Sequence, residues 1–326
     1  MLRILSLCLA LMFGCASAQA QKWPERPVHL IVPYAAGGGT DTVARVLAQK
    51  LSGIFGQQFV VENRTGASGM IGAAAVAKSE PDGYTLLVAS PAEVALNPNL
   101  FKNMTYDPVK DLAPITLLAW TPLVLAAHPG LAASTFEELV ALAQKQEVNF
   151  STPGIGSSHH LTGEYVNALS HTKLVHVPYR GATPAITDAV SGQVKLTISG
   201  MPPVVPFLQS GALKAIAVTS KKRSPLFPDI PAMAEFKGFE DTDFTNWFGL
   251  LARTGTAPDI LDRLQKAAAD ARPGTWLTLL SDDAAAANDV AAWCAMRGHE
   301  LVESHPATDG RGGTAYVVRL GPTQVS

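Results

Sequence analysis

The chain has 326 residues, 47% of them hydrophobic, with 25 Lys and Arg against 27 Asp and Glu for a formal net charge of −2. That balance excludes the basic stripe of a nucleic-acid binder. Three Cys exclude a disulfide-built scaffold, and 27 Gly with 23 Pro stay below the share that marks a low-complexity chain. The length suits two domains.

Met1-Leu2-Arg3 supplies a positive start, Ile4 to Phe13 a short apolar run, and Ala18-Gln19-Ala20 a small-x-small cleavage site. Residues 1–20 therefore read as a secretory signal peptide, with the bacterial periplasm as destination. The apolar run is too short to span a bilayer. Cys15 after Gly14 leaves a second reading open, a lipid-modified cysteine, although Met12 stands where Leu is usual. Cleavage after Ala20 leaves Cys294 as the only thiol, so no internal disulfide is expected.

Beyond that segment, short β-branched runs alternate with amphipathic ones. Val28-His29-Leu30-Ile31-Val32 is a strand ending at Pro33, and Ala35-Ala36-Gly37-Gly38-Gly39-Thr40 follows. From Asp41 the pattern is helical, with Val43, Val46, Leu47, Leu51 and Ile54 at the spacing of one buried face. Phe59-Val60-Val61 is the next strand, and Gly66-Ala67-Ser68-Gly69 leads into an Ala-rich helix over 70–77. After the turn Pro81-Asp82-Gly83, residues 85–89 form a buried strand ending at Ser90-Pro91. The same order restarts with a strand at 148–150, the turn Gly154-Ile155-Gly156-Ser157-Ser158 and a helix over 160–169. A strand at 175–177, a helix over 184–191 and a strand at 196–198 continue it. Such alternation implies α/β architecture with largely parallel sheets covered on both faces. In open sheets of that kind, ligands sit beyond the carboxyl ends of the strands.

Gly37 to Thr40, Gly66 to Gly69, Ser90, and Thr152 to Ser158 all fall at such ends. A helix N-terminus offers unpaired N–H groups and a partial positive charge, which suits a carboxylate or phosphate. Glycine lets the backbone come close, and Thr40, Thr152 and Ser157 add hydroxyls. Taken singly, each turn also reads as an ordinary strand-to-helix junction, with Thr40 or Asp41 as N-cap. Their recurrence on two α/β units points to an anion held in a cleft between lobes.

Enzyme readings lack their motifs. Gly156-Ser157-Ser158-His159 has no G-x-S-x-G frame and no acid to complete a triad. Gly37-Gly38-Gly39 has neither the P-loop Lys nor the dinucleotide spacing. Adjacent His159 and His160 point about 100° apart on a helix and cannot share one metal. No catalytic residue, metal site or cofactor is expected.

Trp23-Pro24-Glu25-Arg26-Pro27 followed by Ile31-Val32-Pro33-Tyr34-Ala35-Ala36-Gly37-Gly38-Gly39-Thr40-Asp41 resembles the opening of the Bug family, the extracytoplasmic solute receptors of tripartite tricarboxylate transporters. Val61-Glu62-Asn63-Arg64-Thr65-Gly66-Ala67-Ser68-Gly69 resembles its second loop. Val177-Pro178-Tyr179-Arg180-Gly181-Ala182, Phe227-Pro228-Asp229-Ile230-Pro231 and Trp247-Phe248-Gly249 follow in the family's order. The resemblance runs from about Trp23 to Ala271. It implies a type II periplasmic-binding-protein fold, two α/β lobes with a ligand cleft between them. It further implies a monomer that delivers a small carboxylate, such as an amino-acid dicarboxylate or a tricarboxylate, to transporter membrane components. Carried over, the site comprises Tyr34, Gly38, Gly39, Thr40 and Asp41 in the first loop, Gly66, Ala67 and Ser68 in the second, and Ser90. The other lobe supplies Thr152, Gly154, Gly156, Ser157 and His159, with Tyr179 and Met201 nearby. Asp41 would repel an acidic ligand and is read as a cap and fixer of the loop. A receptor feeding a signalling partner would keep the same cleft.

After Ala271 the sequence changes character. In the Bug family further helices follow there and pack on the first lobe. Here a strand over 273–283, a helix over 288–296 and strands over 298–303 and 314–320 form an atypical β-α-β-β segment. Trp293-Cys294 and Gly298-His299-Glu300-Leu301 in it resemble the second half of TusA-like sulfur carriers. The reactive Cys-Pro pair of that family is absent, so Cys294 reads as a mid-helix buried thiol and sulfur transfer as the lesser alternative. The expected organisation is a signal peptide at 1–20, a first lobe at 21–123 and 230–271, a second lobe at 124–229, and the TusA-like half domain at 272–326.

Overall fold

The computed structural model describes residues 23–224 and 227–268 with their side chains, and residue 269 and segments 276–281, 300–306 and 314–319 as backbone. The expected signal peptide, Cys15, Cys294 and the helix over 288–296 lie outside the described residues.

The first sheet grows from β1 (Val28–Val32), whose side chains serve two cores. Val28, Leu30 and Val32 face Leu47, Leu51, Ile260 and Leu264, while Ile31 faces Ala73, Val76 and Leu87 on the other side. β1 pairs in parallel with β2 (Phe59–Asn63) and β3 (Thr85–Ala89). One face is covered by α1 (Gly39–Phe55), the other by α2 (Met70–Ala77). Burial on both faces is what a parallel sheet of continuous apolar runs requires.

The second sheet repeats the arrangement. β5 (Val148–Thr152) pairs in parallel with β6 (Leu174–Pro178) and β7 (Leu196–Gly200). Phe150, Leu196 and Ile198 pack with Phe136 and Leu139 of α3 (Phe136–Lys145) and Val166 of α4 (Ser158–Ser170). On the opposite face lie Ile186 of α5 (Ala182–Val190) and Val204 and Val205 of α6 (Met201–Gln209).

One long antiparallel strand runs through both halves. β4 (Leu112–Ala127) pairs along residues 112–122 with β9 (Thr245–Arg253), which itself lies beside β3. Its last five residues, 123–127, pair instead with β7 and with β8 (Lys214–Val218). The path is β2-β1-β3-β9-β4-β7-β5-β6, with β8 on β4. Thr219 ties the crossing point: its hydroxyl donates to Phe244 O at 2.6 Å and accepts from Leu123 N at 3.0 Å. Its amide donates to Leu123 O at 3.0 Å. The result is a two-lobed α/β fold in which α7 (Pro258–Ala269) returns to pack on the first sheet.

Two local expectations are corrected. α1 begins at Gly39 rather than Asp41, and its buried stripe is Thr40, Asp41, Ala44, Leu47, Ala48 and Leu51. Val43 and Val46 are half-buried and Ile54 is 51% exposed. Three residues on from Leu51, Ile54 points about 60° to the side of the stripe. The β-branched residues border the buried face, whose centre is Ala and Leu.

In the last segment, β10 (Trp276–Ser281), β11 (Glu300–Pro306) and β12 (Thr314–Arg319) form a separate antiparallel sheet in the order β10-β12-β11. β10 and β12 lie within the strands expected at 273–283 and 314–320, while β11 starts two residues after the expected 298–303 and runs three beyond it.

Candidate functional site

The first loop is built around Asp41. The residue is 2% exposed, and its carboxylate accepts from the Gly37 amide at 3.0 Å, Arg45 Nε at 2.8 Å and Asn63 Nδ2 at 2.9 Å. The same Asn63 amide donates to Tyr34 O at 3.0 Å. Asp41 therefore binds the loop together from behind. It is not the N-cap, and neither is Thr40: that position is Gly38, with no side-chain cap bond. The first-turn N–H groups of α1, which intrahelical bonding leaves free, consequently face the cleft uncapped. The physical reason is one of reach, because at the third helical position a carboxylate folds back onto the preceding turn.

The second loop carries strain. Gly66, Ala67, Ser68 and Gly69 all have positive φ, at 124°, 47°, 52° and 85°. Two of these are not glycine, and left-handed Ala and Ser cost about 1–2 kcal/mol each. Asn97 Nδ2 donates to Ser68 O at 2.9 Å and fixes the turn. Strain of this kind persists where surrounding contacts over-determine it, and it gathers at binding sites.

At the end of β3, Ser90 lies beside the Tyr34 hydroxyl, 3.3 Å away. Burial and the neighbouring Glu93 charge hold the Tyr34 phenol well above its ordinary range.

In the other half, Ser157 caps α4. Its hydroxyl accepts from His160 N at 3.2 Å and donates to Gly154 O at 2.8 Å. Thr152 Oγ1 sits 2.6 Å from His176 Nε2, and the His176 and His160 rings stack with centroids 3.9 Å apart. Burial, then His160, lowers His176 to about 4. His159 is buried with Nδ1 unpartnered among the described residues, and burial lowers it to about 3, so its ring is neutral. Burial, then Asp188, raises Tyr179 to about 12, and its hydroxyl donates to Asp188 Oδ2 at 2.5 Å.

These parts enclose a cavity of about 40 Å3 in which Tyr34, Gly38, Gly39, Thr40 and Ser90 face Ser157 and His159. On the scale where one water needs ~10–15 Å3, the space exceeds a single water severalfold. A second, more open cavity brings Tyr34, Gly66, Ala67 and Ser68 against Gly154 and Tyr179. Asp41, Thr152, Gly156 and Met201 line neither cavity. Met201 is 1% exposed and packs in the core with Val204 and Val205. Gly156, at φ +75°, backs onto Leu100 and Phe101.

The sequence reading passed over Thr121, Asn246 and Phe248, which reach the cavity from the crossing strands, and Pro202 and Pro203 at the start of α6. Only Trp247-Phe248-Gly249 carried a signal, as a family motif. Thr121 and Asn246 sit mid-strand, where no local pattern marks a site. Asn246 Oδ1 accepts from Ser158 at 2.9 Å and so joins α4 to β9.

Two features define the cavity's chemistry. The first turns of α1, α4, α5 and α6 all contribute to its wall, and no Asp, Glu, Lys or Arg lines it. At the rim the two halves touch directly. Ala35 N donates to Arg180 O at 3.3 Å, and Thr183 Oγ1 donates to Ala36 O at 2.7 Å.

A family model for the tripartite tricarboxylate transporter family receptor, TctC, matches residues 43–286. That match passes Ala271, where the sequence resemblance stops, and takes in β10. BugT of Bordetella pertussis is 38% identical over 269 residues, 82% of this chain and 82% of its own length. Among solved structures, an R. palustris protein with adipate is 35% identical at a TM-score of 0.74, over 76% of this chain and 84% of its own. MatC of Rhodopseudomonas palustris, solved with bound malate, is 32% identical at a TM-score of 0.71, with the same coverage. With its two lobes and a family match over three quarters of its length, the chain belongs to the tripartite tricarboxylate transporter receptor family of periplasmic solute-binding proteins.

Proposed function

We propose that the protein captures a small organic acid with two or three carboxylates in this cleft and delivers it to the membrane components of a tripartite tricarboxylate transporter. The observation that carries the reading is that the first turns of α1, α4 and α5, which carry N–H groups, meet on a cavity without Asp, Glu, Lys or Arg, while α6 presents Pro202 and Pro203 there. Each such terminus favours an anion by about 0.3–1 kcal/mol, and more where partly buried. Hydroxyls and backbone N–H groups then do the recognising. In this reading Gly38, Gly39 and Thr40 hold one carboxylate, partly through water, and Ser157 and His159 close over the other end. Gly66, Ala67, Ser68, Gly154 and Tyr179 shape the neighbouring space, while Asp41, Thr152, Gly156 and Met201 support the walls. The relatives solved with adipate and malate make linear dicarboxylates the first ligands to try. Export by the 1–20 segment, a monomeric state and closure of the lobes over the ligand belong to the same proposal.

Thermal melts of the mature chain against di-, tri- and amino-acid carboxylates test it. A ligand at 100 times its Kd adds about 2.7 kcal/mol, a rise of several °C for a chain of this size. A cooperative melt that no acid moves would refute the carboxylate reading.

A further inference from the structure

Behind Ser90 the structure buries a carboxylate that the binding site does not touch. Glu93 sits on the widened helical turn Ala92–Leu96 and is 0% exposed. Its Oε2 accepts both the Ser90 amide, at 2.7 Å, and the Ser90 hydroxyl, at 2.9 Å. Its Oε1 has no partner among the described residues and lies against Gly69, where a Cβ would come within 2.0 Å of it. The groups that face it are few. Tyr34 approaches from the loop after β1, and the Tyr106 hydroxyl donates to the Glu93 backbone oxygen at 2.7 Å. Among the described residues no Lys, Arg or His pairs with it. Burial pushes the Glu93 carboxyl up from its ordinary range, and the nearby Tyr34 hydroxyl and the Ser90 hydrogen bonds only partly offset this.

Ser90 stands between this carboxyl and the cleft. A serine hydroxyl has one proton and two lone pairs. While Glu93 is ionised, that proton is committed to Oε2, and Ser90 offers the cleft only lone pairs. An entering carboxylate then meets an acceptor in front of a buried negative charge. Once Glu93 is protonated, its own O–H can donate to Ser90 Oγ, and the serine proton is free to turn toward the ligand. The buried like charge disappears in the same step.

We infer that ligand capture is linked to a proton: Glu93 takes up one proton when an organic-acid anion enters the cleft, and Ser90 turns from acceptor to donor toward it. Glu93 is here a positioning residue that acts through Ser90, and the inference rests on the carboxylate-receptor reading. The proton comes from solvent, and no bond other than O–H changes.

The experiment is isothermal titration calorimetry of the mature chain with malate and with adipate, from pH 6 to 9, in two buffers of different ionisation heat. The expected result is uptake approaching one proton per ligand at the alkaline end. Affinity should fall by up to tenfold per pH unit there, because the bound state holds the extra proton. Glu93→Gln should bind with no uptake and a flat pH profile. His159→Asn should keep the uptake per ligand bound, which separates Glu93 from the buried histidine in the cavity wall. Should Glu93→Gln fail to fold, the wild-type and His159→Asn titrations still decide the matter. Binding without uptake, or uptake that survives in Glu93→Gln or vanishes in His159→Asn, would overturn the proton linkage alone. If no acid binds wild type at any pH, the receptor reading fails and takes the linkage with it.

Discussion

Replacing Gly181 by Ala should weaken ligand binding without weakening the fold. The residue's φ is 160°, extended backbone that alanine adopts freely, so the change acts only through space. A Cβ built there falls 2.7 Å from Ala35 Cβ and 2.9 Å from Ala35 N, across the rim of the cleft. Restoring ordinary contact needs the rim to open by roughly 0.7 Å, since Cβ contacts closer than about 3.4 Å are tight. That opening carries the bond from Ala35 N to Arg180 O, already 3.3 Å, beyond hydrogen-bond range and stretches the 2.7 Å bond from Thr183 to its limit. Two neutral hydrogen bonds contribute about 1–3 kcal/mol together, which is about 5- to 150-fold in Kd. Thr183→Ala removes one of the two and should cost about 2- to 13-fold. Calorimetric Kd values for the acid found in the melting screen, with ligand-free melts beside them, provide the assay. A Gly181→Ala protein that binds within twofold of wild type would refute the reasoning. So would one whose ligand-free stability falls by as much free energy as its binding, because the change would then act on the fold rather than on closure.

Two hydroxyls in the cleft should separate stability from binding. Ser157→Ala deletes the N-cap of α4 and should lower ligand-free stability by about 0.5–2 kcal/mol as well as affinity. Thr40, whose hydroxyl has no hydrogen bond to the described residues, should lose only affinity on replacement by Ala, about 1.5–3 kcal/mol if it meets an ionised carboxylate; melts and titrations of both variants check the contrast. Stability should also fall as pH drops below about 6.5, because the unfolded chain then protonates histidines that the native state keeps neutral. The decline should continue through about 4, where native His176 titrates, and toward about 3, where His159 does. His176→Phe, which keeps a ring against His160 and Phe150, should flatten that decline in melts recorded from pH 7 to 4.

What the sequence disclosed follows the locality of the signal. β1, β3 and α2 occupy the residues assigned to them because each is a short run with a local boundary signal, Pro33 after β1, Ser90 after β3 and Gly69 before α2. β4 escaped notice for a physical reason. Register shifts at Pro114/Thr116 and Leu117/Ala119 insert extra residues, so its exposed positions are Pro114, Leu117 and Trp120. A strand with that spacing has lost the alternation by which strands are recognised. The same strand and its partner β9 bring Thr121 and Asn246 to the cavity through pairings more than a hundred residues apart in the chain. The glycine turns were legible as strand-end loops because their signal is local, and the structure places Gly38, Gly39 and Thr40 on the cavity wall. Glu93 was not, because only the fold shows that it is buried behind Ser90.

The crossing at Thr219 bears on how such a receptor can change its diet. The chain leaves the first sheet at Pro122 and comes back at Thr245, and these two residues sit opposite one another in the β4–β9 ladder. Everything between them hangs from two neighbouring attachment points, so it forms a cassette rather than an interleaved half. Insertions are tolerated best where the flanking ends lie close together. One wall of the cleft, with Ser157 and His159, could therefore be exchanged between relatives as a single piece. The wall built on Gly38 to Thr40 would keep its sheet and its core. Recombination at these two points is then a second route to altered selectivity, beside point substitution.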